Sequence, residues 1–218
     1  MQTRRTTLKR KPDRGAHDPA TIHAILDEAL ICHLGFDFEG QPFVLPTIHA
    51  RLGDALYLHG AVANRMLGVL AGGAPCCLTA TLVDGLVLAR SAFHHSMNYR
   101  SVLVLGRAAL VGDPAEKTAA FEAFVEKVMR GRSAACRPPS ELEIRTTKVL
   151  RLPLDEASAK LRSGPPIDDD EDYALPWWAG VIPLRLVAGA PEPDARTPRE
   201  TAFPHDLARD VGGGAATR

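Results

Sequence analysis

The sequence predicts a mainly β protein with some α structure: an antiparallel β-barrel of six or seven short strands, closed or split, with flanking helices. Six or seven short apolar runs are separated by turns that contain Gly, Pro or Asp. A few segments with helical spacing and clear N-cap residues stand between these runs. Short strands joined by tight turns bury their apolar sides by packing into a barrel, so this order of elements is typical of an antiparallel barrel.

The composition is that of an ordinary globular chain, and it limits the classes of partner. Of 218 residues, 45% are hydrophobic and 24% charged, and 26 basic residues balance 26 acidic ones. This balance provides no broad basic face, so we expect no nucleic-acid partner. No run approaches the roughly 18 apolar residues of a membrane helix, and the basic N-terminus has no apolar segment behind it. We therefore expect a cytoplasmic protein with no membrane association.

Composition divides the chain into three parts. Residues 1–17 form a basic N-terminal arm, residues 18–188 form the barrel domain, and residues 189–218 form a tail that we expect to be flexible. No two of the four cysteines form a C-x-x-C motif, and the adjacent His94 and His95 are poorly spaced to bind one metal ion together. We therefore expect reduced thiols and no metal site.

Elements in the first half of the barrel domain follow from local signals. Asp18 is a good N-cap and Pro19 suits the first helical position, so a helix begins there and ends near residue 31. Pro46 places its strand at an edge or a bulge, because proline cannot donate to a sheet ladder. The remaining expected elements are strands at 31–37, 42–50 and 55–59 and a short helix at 64–71.

In the second half, Asp84-Gly85 between two β-rich runs predicts a tight hairpin that joins strands 76–83 and 86–93. A helix begins at Asp113-Pro114, and we assign its apolar stripe to the core. The acidic run Asp168–Asp172 is interpreted as a solvated loop. The other expected elements are strands at 99–111 and 143–152 and a short helix at 155–162.

The segment 56–65 is the first candidate site. It passes from a strand through a glycine-containing turn into a helix, with His59, Asn64 and Arg65 near the junction. Backbone N–H groups at a helix start and an arginine suit a bound phosphate. The alternative is a plain connector with a surface arginine.

The segment 93–102 is the second candidate site, because it gathers polar groups where a strand begins. It contains His94, His95, Tyr99, Arg100 and Ser101. Histidine titrates near neutral pH, so His94 or His95 could donate a proton to a substrate, although a lone histidine is more often a structural hydrogen bonder. The serines lack a nucleophile elbow, and no P-loop or dinucleotide-binding glycine motif is present.

Trp177 and Trp178 are conspicuous in a chain with 6% aromatic residues. They could stack on a planar ligand, bury at a contact between subunits, or fix the C-terminal segment to the barrel. The sequence leaves these three alternatives open.

Three stretches in this order carry a family resemblance: QPFVLPTIHARLGDALYLHGAVANRMLGVL, HHSMNYRSVLVLGRAALVGDPAEK and SAKLRSGPPIDDDEDYALPWWAGVIPL. Across about residues 4–186 the chain resembles the pyridoxamine 5′-phosphate oxidase-related, FMN-binding split-barrel family, and within it the flavin-nucleotide-binding branch with nitroimidazole-resistance proteins. The resemblance implies a six-stranded split barrel that forms a homodimer with FMN between the subunits. FAD is the alternative flavin.

The resemblance also implies roles for particular residues. Pro46, Thr47 and Ile48 would line the flavin ring, and His59, Asn64 and Arg65 would contact the phosphate. Tyr99, Arg100 and Ser101 would face the cofactor cleft, Trp177 and Trp178 would approach the flavin, and His94 and His95 would lie nearest the substrate. Around Arg185 the chain lacks the histidine of the substrate-gripping motif in authentic pyridoxamine-phosphate oxidases, so we do not expect vitamin B6 oxidation.

We expect an FMN-dependent oxidoreductase of unknown small-molecule substrate. Three alternatives remain: a flavin-storage or sensing module without a substrate, a barrel that binds haem or a deazaflavin, and an interaction protein with an empty cleft. Haem would need an axial histidine in an apolar pocket, for which His59, His94 and His95 are candidates.

Overall fold

A computed structural model describes residues 1–204, so part of the tail predicted at 189–218 lies outside the described residues. The helices are α1 (Pro19–Glu28), α2 (Arg65–Ala71), α3 (Pro114–Val128) and α4 (Glu141–Thr146). The strands are β1 (Gly15–Ala16), β2 (Cys32–Phe38), β3 (Gln41–Thr47), β4 (Ala50–Leu52), β5 (Ala55–Ala61), β6 (Pro75–Leu88), β7 (Ser96–Arg107), β8 (Ala109–Leu110), β9 (Thr147–Pro153), β10 (Ala157–Arg162) and β11 (Gly180–Pro183).

The strands form two antiparallel sheets. The larger sheet has the order β1-β10-β7-β6-β2-β3, and β11 pairs with the far end of β6. The smaller sheet has the order β4-β5-β9-β8. Within the described residues the two sheets do not join into one closed ladder, so the barrel is split. The predicted mainly β fold, an antiparallel split barrel with flanking helices, is confirmed.

The main core lies between the two sheets. Alternate residues point inward from each strand, among them Leu34, Leu78 and Val104 from the larger sheet and Leu58 and Leu150 from the smaller one. A second cluster fills the space between the outer side of the smaller sheet and α3, and it includes Tyr57 and Phe124. The fold therefore leaves two surfaces for ligands: the outer face of the larger sheet and the outer face of the smaller sheet beside α3.

The local signals read from the sequence place the helix starts correctly. Asp18 accepts a hydrogen bond from Thr21 N, Asn64 accepts one from Leu67 N, and Asp113 accepts from the N–H groups of residues 115 and 116. Pro46 lies in β3, which is the edge strand of the larger sheet, as its two prolines predict. The first helix ends at Glu28, earlier than expected.

Two expected elements are wrong, and the strand expected at 143–152 begins only at Thr147, because the capping box of Ser140 starts the helix α4 ahead of it. Asp84-Gly85 is not a hairpin turn: β6 runs through it with a bulge, since the register against β7 shifts between Val83 and Gly85. A Cβ on Gly85 would lie 3.0 Å from Val181 Cγ1 and 3.1 Å from the carbonyl oxygen of Ile182, so the glycine permits close approach of β11. Residues 157–162 form strand β10 instead of a helix, because residues 99–104 of β7 provide a pairing edge and a buried face.

The predicted N-terminal arm, residues 1–17, contacts the larger sheet. Its β1 pairs with β10, the N–H of Ala157 donates to the carbonyl of Met1, and Arg5 forms an ion pair with Glu156. No helix within residues 1–204 has the length and apolar character needed to cross a membrane.

Candidate functional site

A cavity of about 730 Å³ lies beside α3 at the outer face of the smaller sheet. Its volume falls in the range of roughly 300–1,000 Å³ that cofactor and small-molecule sites occupy. His59 contributes from β5, the apolar stripe of α3 forms a second side, and residues 133–139 complete the lining. The lining residues of this His59 cavity are His59, Thr118, Phe121, Glu122, Phe124, Val125, Ser133, Ala134, Cys136, Arg137, Pro138, Pro139 and Glu143.

Aromatic contacts hold the His59 ring in place. Its centroid lies 4.1 Å from that of Phe124 and 6.4 Å from that of Phe121. Nδ1 of His59 is buried and has no hydrogen-bond partner among the described residues. Burial lowers the pKa of His59, because the charged ring loses its hydration. The lowered pKa favours the neutral ring, which is the state in which histidine ligates a metal.

The rim of the His59 cavity carries an ion pair. Arg137 donates to both carboxylate oxygens of Glu143, from Nη1 at 2.8 Å and from Nη2 at 2.7 Å. Glu143 also belongs to the capping box of α4: it accepts from Ser140 N at 2.7 Å, and its own N–H donates to Ser140 Oγ. Arg137 and this cap together lower the pKa of Glu143 to about 2. The rim is thus fixed by the start of α4.

Asn64 and Arg65, predicted at a phosphate, lie at the start of α2. The Asn64 side chain caps the helix by accepting from Leu67 N at 3.1 Å. The Arg65 guanidinium lies over the rings of Phe38 and Phe43, at 5.3 and 5.1 Å from their centroids. Neither residue is among those that line the His59 cavity, although all three sit within one strand-to-helix junction.

Three of the predicted flavin residues lie on the outer face of the larger sheet. Strand alternation places Pro46, Tyr99 and Ser101 opposite to the core-facing side chains. Pro46 pairs with His33, which pairs with Thr79 on β6. Ser101 pairs with Thr81 and with Lys160. The strand pairing thus brings these residues onto one polar, partly exposed face.

A second cavity, of about 720 Å³, lies along the same sheet near one end of β2 and β6. Gly35, Val44 and Cys77 line it from one row of the outer face, and Arg5 and Arg107 lie at its margin. A Cβ on Gly35 would lie 2.8 Å from Cys77 Sγ, so the glycine makes room for that thiol. This arrangement combines an apolar trough with two guanidinium groups.

Thr47 and Ile48 lead away from that face into the interior. Thr47 pairs with buried Cys32, and the next residue after Ile48, His49, is fully buried. His49 Nε2 donates to the carbonyl of Leu26 at 2.8 Å, and burial lowers the pKa of His49 to about 4. Lys127 donates to the same carbonyl at 2.6 Å, so both side chains hold the end of α1.

Arg100 is directed to α1 rather than to the outer face. Its guanidinium donates to Glu28 at 2.5 and 2.8 Å and to Asp84 at 2.8 and 3.0 Å. These two carboxylates raise the pKa of Arg100. The side chain thereby links α1, β6 and β7, and its predicted contact with a cofactor stays a prediction.

His94 and His95 lie in a short 3-10 turn before β7, where acidic residues anchor the chain. His94 Nε2 lies 3.3 Å from a carboxylate oxygen of Asp169, and His95 Nδ1 donates to the carbonyl of Ser91 at 3.0 Å. The neighbouring Asp168 is buried and accepts from the Arg90 side chain and from two backbone N–H groups. The start of the acidic run is therefore a buried anchor and not a solvated loop.

Trp177 and Trp178 are 61% and 66% exposed and directly precede β11. A Cβ on Gly180 would lie 2.9 Å from the Trp178 ring, so the indole covers the backbone of that glycine. The exposed indoles leave stacking on a ligand and contact with another subunit as the open interpretations.

The sequence interpretation assigns the stripe of α3 to the core and does not find the His59 cavity. Phe124 serves both purposes, since it belongs to the second core cluster and lines the cavity. Apolar side chains have the same spacing whether they face a packed core or a cavity. The available signal is the Pro138-Pro139 pair, because a proline-rich segment after a helix cannot pack as a regular element over its apolar stripe.

These features define a split-barrel protein with cavities of cofactor size on the outer faces of its sheets. The sequence model described as pyridoxamine 5′-phosphate oxidase matches residues 18–161. The chain belongs to this family, and the resemblance inferred from its sequence is confirmed.

Two solved structures match the chain over nearly its whole length. The flavocytochrome Anf3 from Azotobacter vinelandii is 43% identical; the match covers 95% of this chain and 96% of that one, with a TM-score of 0.87. The FAD and haem binding protein from Mycobacterium smegmatis is 32% identical; the match covers 91% and 98%, with a TM-score of 0.86. No curated protein matches the sequence.

Proposed function

We propose that this chain is a redox protein that binds a flavin and a haem, with haem in the His59 cavity. The observation that carries the proposal is the His59 ring, whose buried Nδ1 has no partner among the described residues, beside the apolar residues of α3 in a cavity of about 730 Å³. The names of the two long matches, a flavocytochrome and an FAD and haem binding protein, support it.

The cavity residues fit a haem. A histidine must be neutral to offer a lone pair to iron, and the loss of hydration that lowers the pKa of His59 favours the neutral ring. Phe121, Phe124 and Val125 provide an apolar wall for a macrocycle. His59 is therefore the residue that would ligate the iron, and the apolar residues of α3 would contact the macrocycle.

The outer face of the larger sheet fits the flavin. Pro46, Tyr99 and Ser101 provide a flat, partly polar surface for the ring system, and Arg5 and Arg107 beside the second cavity provide charge for phosphate. FAD is favoured over FMN by the name of the mycobacterial relative. Exposed apolar side chains, Val44 on this face and Trp177 and Trp178 before β11, favour a homodimer.

Bound flavin and haem supply the electron-transfer chemistry, and the chain supplies orientation, charge and exclusion of water. His94 and His95 are the residues that could hold a proton for an oxidoreductase substrate, since both lie at the entry to β7 on the anchored turn. Arg65, held over two aromatic rings, carries a further positive charge near the junction with α2.

The absorption spectrum of the full chain, purified and then supplied with haem and flavin before desalting, tests the proposal. We expect a Soret band and flavin bands in the wild type. His59→Ala should remove the Soret band and retain the flavin bands. The control is His23→Ala, which should retain both, because His23 does not line the cavity and its Nε2 lies 3.0 Å from a carboxylate oxygen of Asp54.

Each outcome has a definite meaning. A Soret band that survives in His59→Ala excludes His59 as the haem ligand. A wild-type chain that retains flavin and no haem refutes the haem site and leaves the flavin site. A chain that retains neither refutes the proposal as a whole. Acid extraction followed by mass spectrometry distinguishes FAD from FMN.

A further inference from the structure

The charged side chains of the His59 cavity are unevenly distributed. Arg137 is the one cationic side chain among the described lining residues, whereas Glu122 and Glu143 are anionic. Phe121, Phe124 and Val125, which form the wall on α3, are apolar. A ligand with an acidic group therefore finds one positively charged partner in this cavity, Arg137, whereas the other lining residues are anionic or neutral.

The guanidinium of Arg137 has hydrogen-bond donors without a partner among the described residues. It carries five N–H donors. Two are used by Glu143 and one, on Nη1, by the carbonyl of Pro138 at 3.0 Å. Nε–H and the second N–H of Nη2 have no partner among the described residues, so two donors remain for an acceptor from a ligand.

Glu143 orients Arg137 without depending on it. The carboxylate is held by the capping box with Ser140 at the start of α4, so its position is fixed by the helix. The guanidinium is thereby fixed at the rim, and its side chain is 70% exposed. A ligand that buries an apolar body against α3 would present its acidic groups to this rim, where they stay partly hydrated.

We propose that Arg137 is a specificity-determining residue that selects a ligand with carboxylate groups on a flat apolar body and fixes which edge of it faces the rim. This inference rests on the proposed haem site, because the two propionate groups of haem provide such carboxylates. Glu143 competes with those carboxylates for the same guanidinium.

The experiment compares two probes that differ only in this chemistry: haem and its dimethyl ester, in which both carboxylates are masked. Each is titrated into the full chain freed of haem, and the Soret band gives a Kd. In the wild type we expect haem to bind about threefold to tenfold more tightly than the ester, the range for a charge-assisted contact at an exposed site.

Arg137→Ala should bring the ratio of the ester Kd to the haem Kd to one or below, because Glu122 and Glu143 then repel the carboxylates of haem. The Kd of the ester should stay unchanged, which also shows that the variant is folded. Glu143→Gln should increase the ratio, since Gln keeps the capping box and removes the competing charge. Arg145→Ala is the matched control: Arg145 lies on α4, is 69% exposed, pairs with Glu141 and does not line the cavity.

A wild-type ratio of one, or an Arg137→Ala variant that keeps the wild-type ratio, overturns the inference while the haem site stands. Failure of the wild type to bind either probe overturns the proposed haem site itself, and this inference with it. A ratio that falls equally in Arg137→Ala and Arg145→Ala assigns the preference to the general charge of the surface and also overturns the inference.

Discussion

Replacement of Arg100 by Met should destabilise the fold without removing a cofactor. Arg100 forms four hydrogen bonds to two carboxylates, Glu28 on α1 and Asp84 on β6. The Met side chain keeps most of the apolar stem and removes the charge. Glu28 and Asp84 then face each other across a site that has lost its cation, and the link between α1 and the larger sheet is lost.

The expected loss lies between two limits. Exposed ion pairs contribute about 0–1 kcal/mol, and removing one partner of a buried pair costs about 3–5 kcal/mol. The Arg100 side chain is 30% exposed, and those of Glu28 and Asp84 are 26% and 37% exposed. We therefore expect a loss of about 2–3 kcal/mol in the free energy of unfolding, which for a chain of this size lowers Tm by roughly 4–12 °C.

Urea denaturation followed by circular dichroism measures the change, and flavin absorbance of the same samples measures retention of the cofactor. The triple variant Arg100→Met, Glu28→Gln, Asp84→Asn should recover part of the loss, because it removes the two unpaired charges. A loss below about 0.5 kcal/mol together with loss of the flavin would refute this reasoning and assign Arg100 to the cofactor, as the sequence interpretation predicts.

Two further predictions concern Lys127 on α3 and Gly85 on β6. Burial lowers the pKa of Lys127 to about 8, so between pH 8 and 10.5 the unfolded chain binds more protons than the folded chain, and the free energy of unfolding rises with pH by up to about 3 kcal/mol. Lys127→Met should lack this rise in urea titrations across the same pH range. An equal pH dependence in the variant and the wild type would contradict the prediction. Gly85→Ala should loosen β11, lower the free energy of unfolding by about 1 kcal/mol and speed proteolysis near residue 180. Gly112→Ala is the control, because a Cβ there would have nothing within 4 Å. Equal cleavage of both variants would exclude the close-packing argument.

Short-range signals in the sequence were sufficient for the helix starts and for the edge of the larger sheet. An N-cap such as Asp18, Asn64 or Asp113 acts on N–H groups two or three residues away, so its effect is contained in the local sequence. Pro46 is similar, because a residue without an N–H marks an edge strand wherever the partner strand comes from. The family could also be identified from the sequence alone, since its three motifs occur in the family's order along the chain.

The expectations that were wrong depend on distant residues. Asp84-Gly85 has the composition of a hairpin turn, yet β11, almost a hundred residues later, pairs beside it and requires the glycine for close approach. Residues 157–162 have too little periodicity to choose between helix and strand, and the exposed edge of β7 decides the choice. In both segments strand pairing with residues distant in the sequence overrides the local turn or helix propensity, and this pairing exists only in the folded chain.

The sequence by itself determined the fold class, the family and the residue types available for a site. The tertiary structure alone decided which of them meet: it joins His59 to α3 and to residues 133–139 in one cavity, and it directs Arg100 into an ion-pair network. The physical reason is that burial, charge partners and empty space are properties of neighbours in space. His59 has a lowered pKa and an unpartnered nitrogen because of what surrounds it, and those surroundings come from segments that lie far from it in the sequence, α3 and residues 133–139.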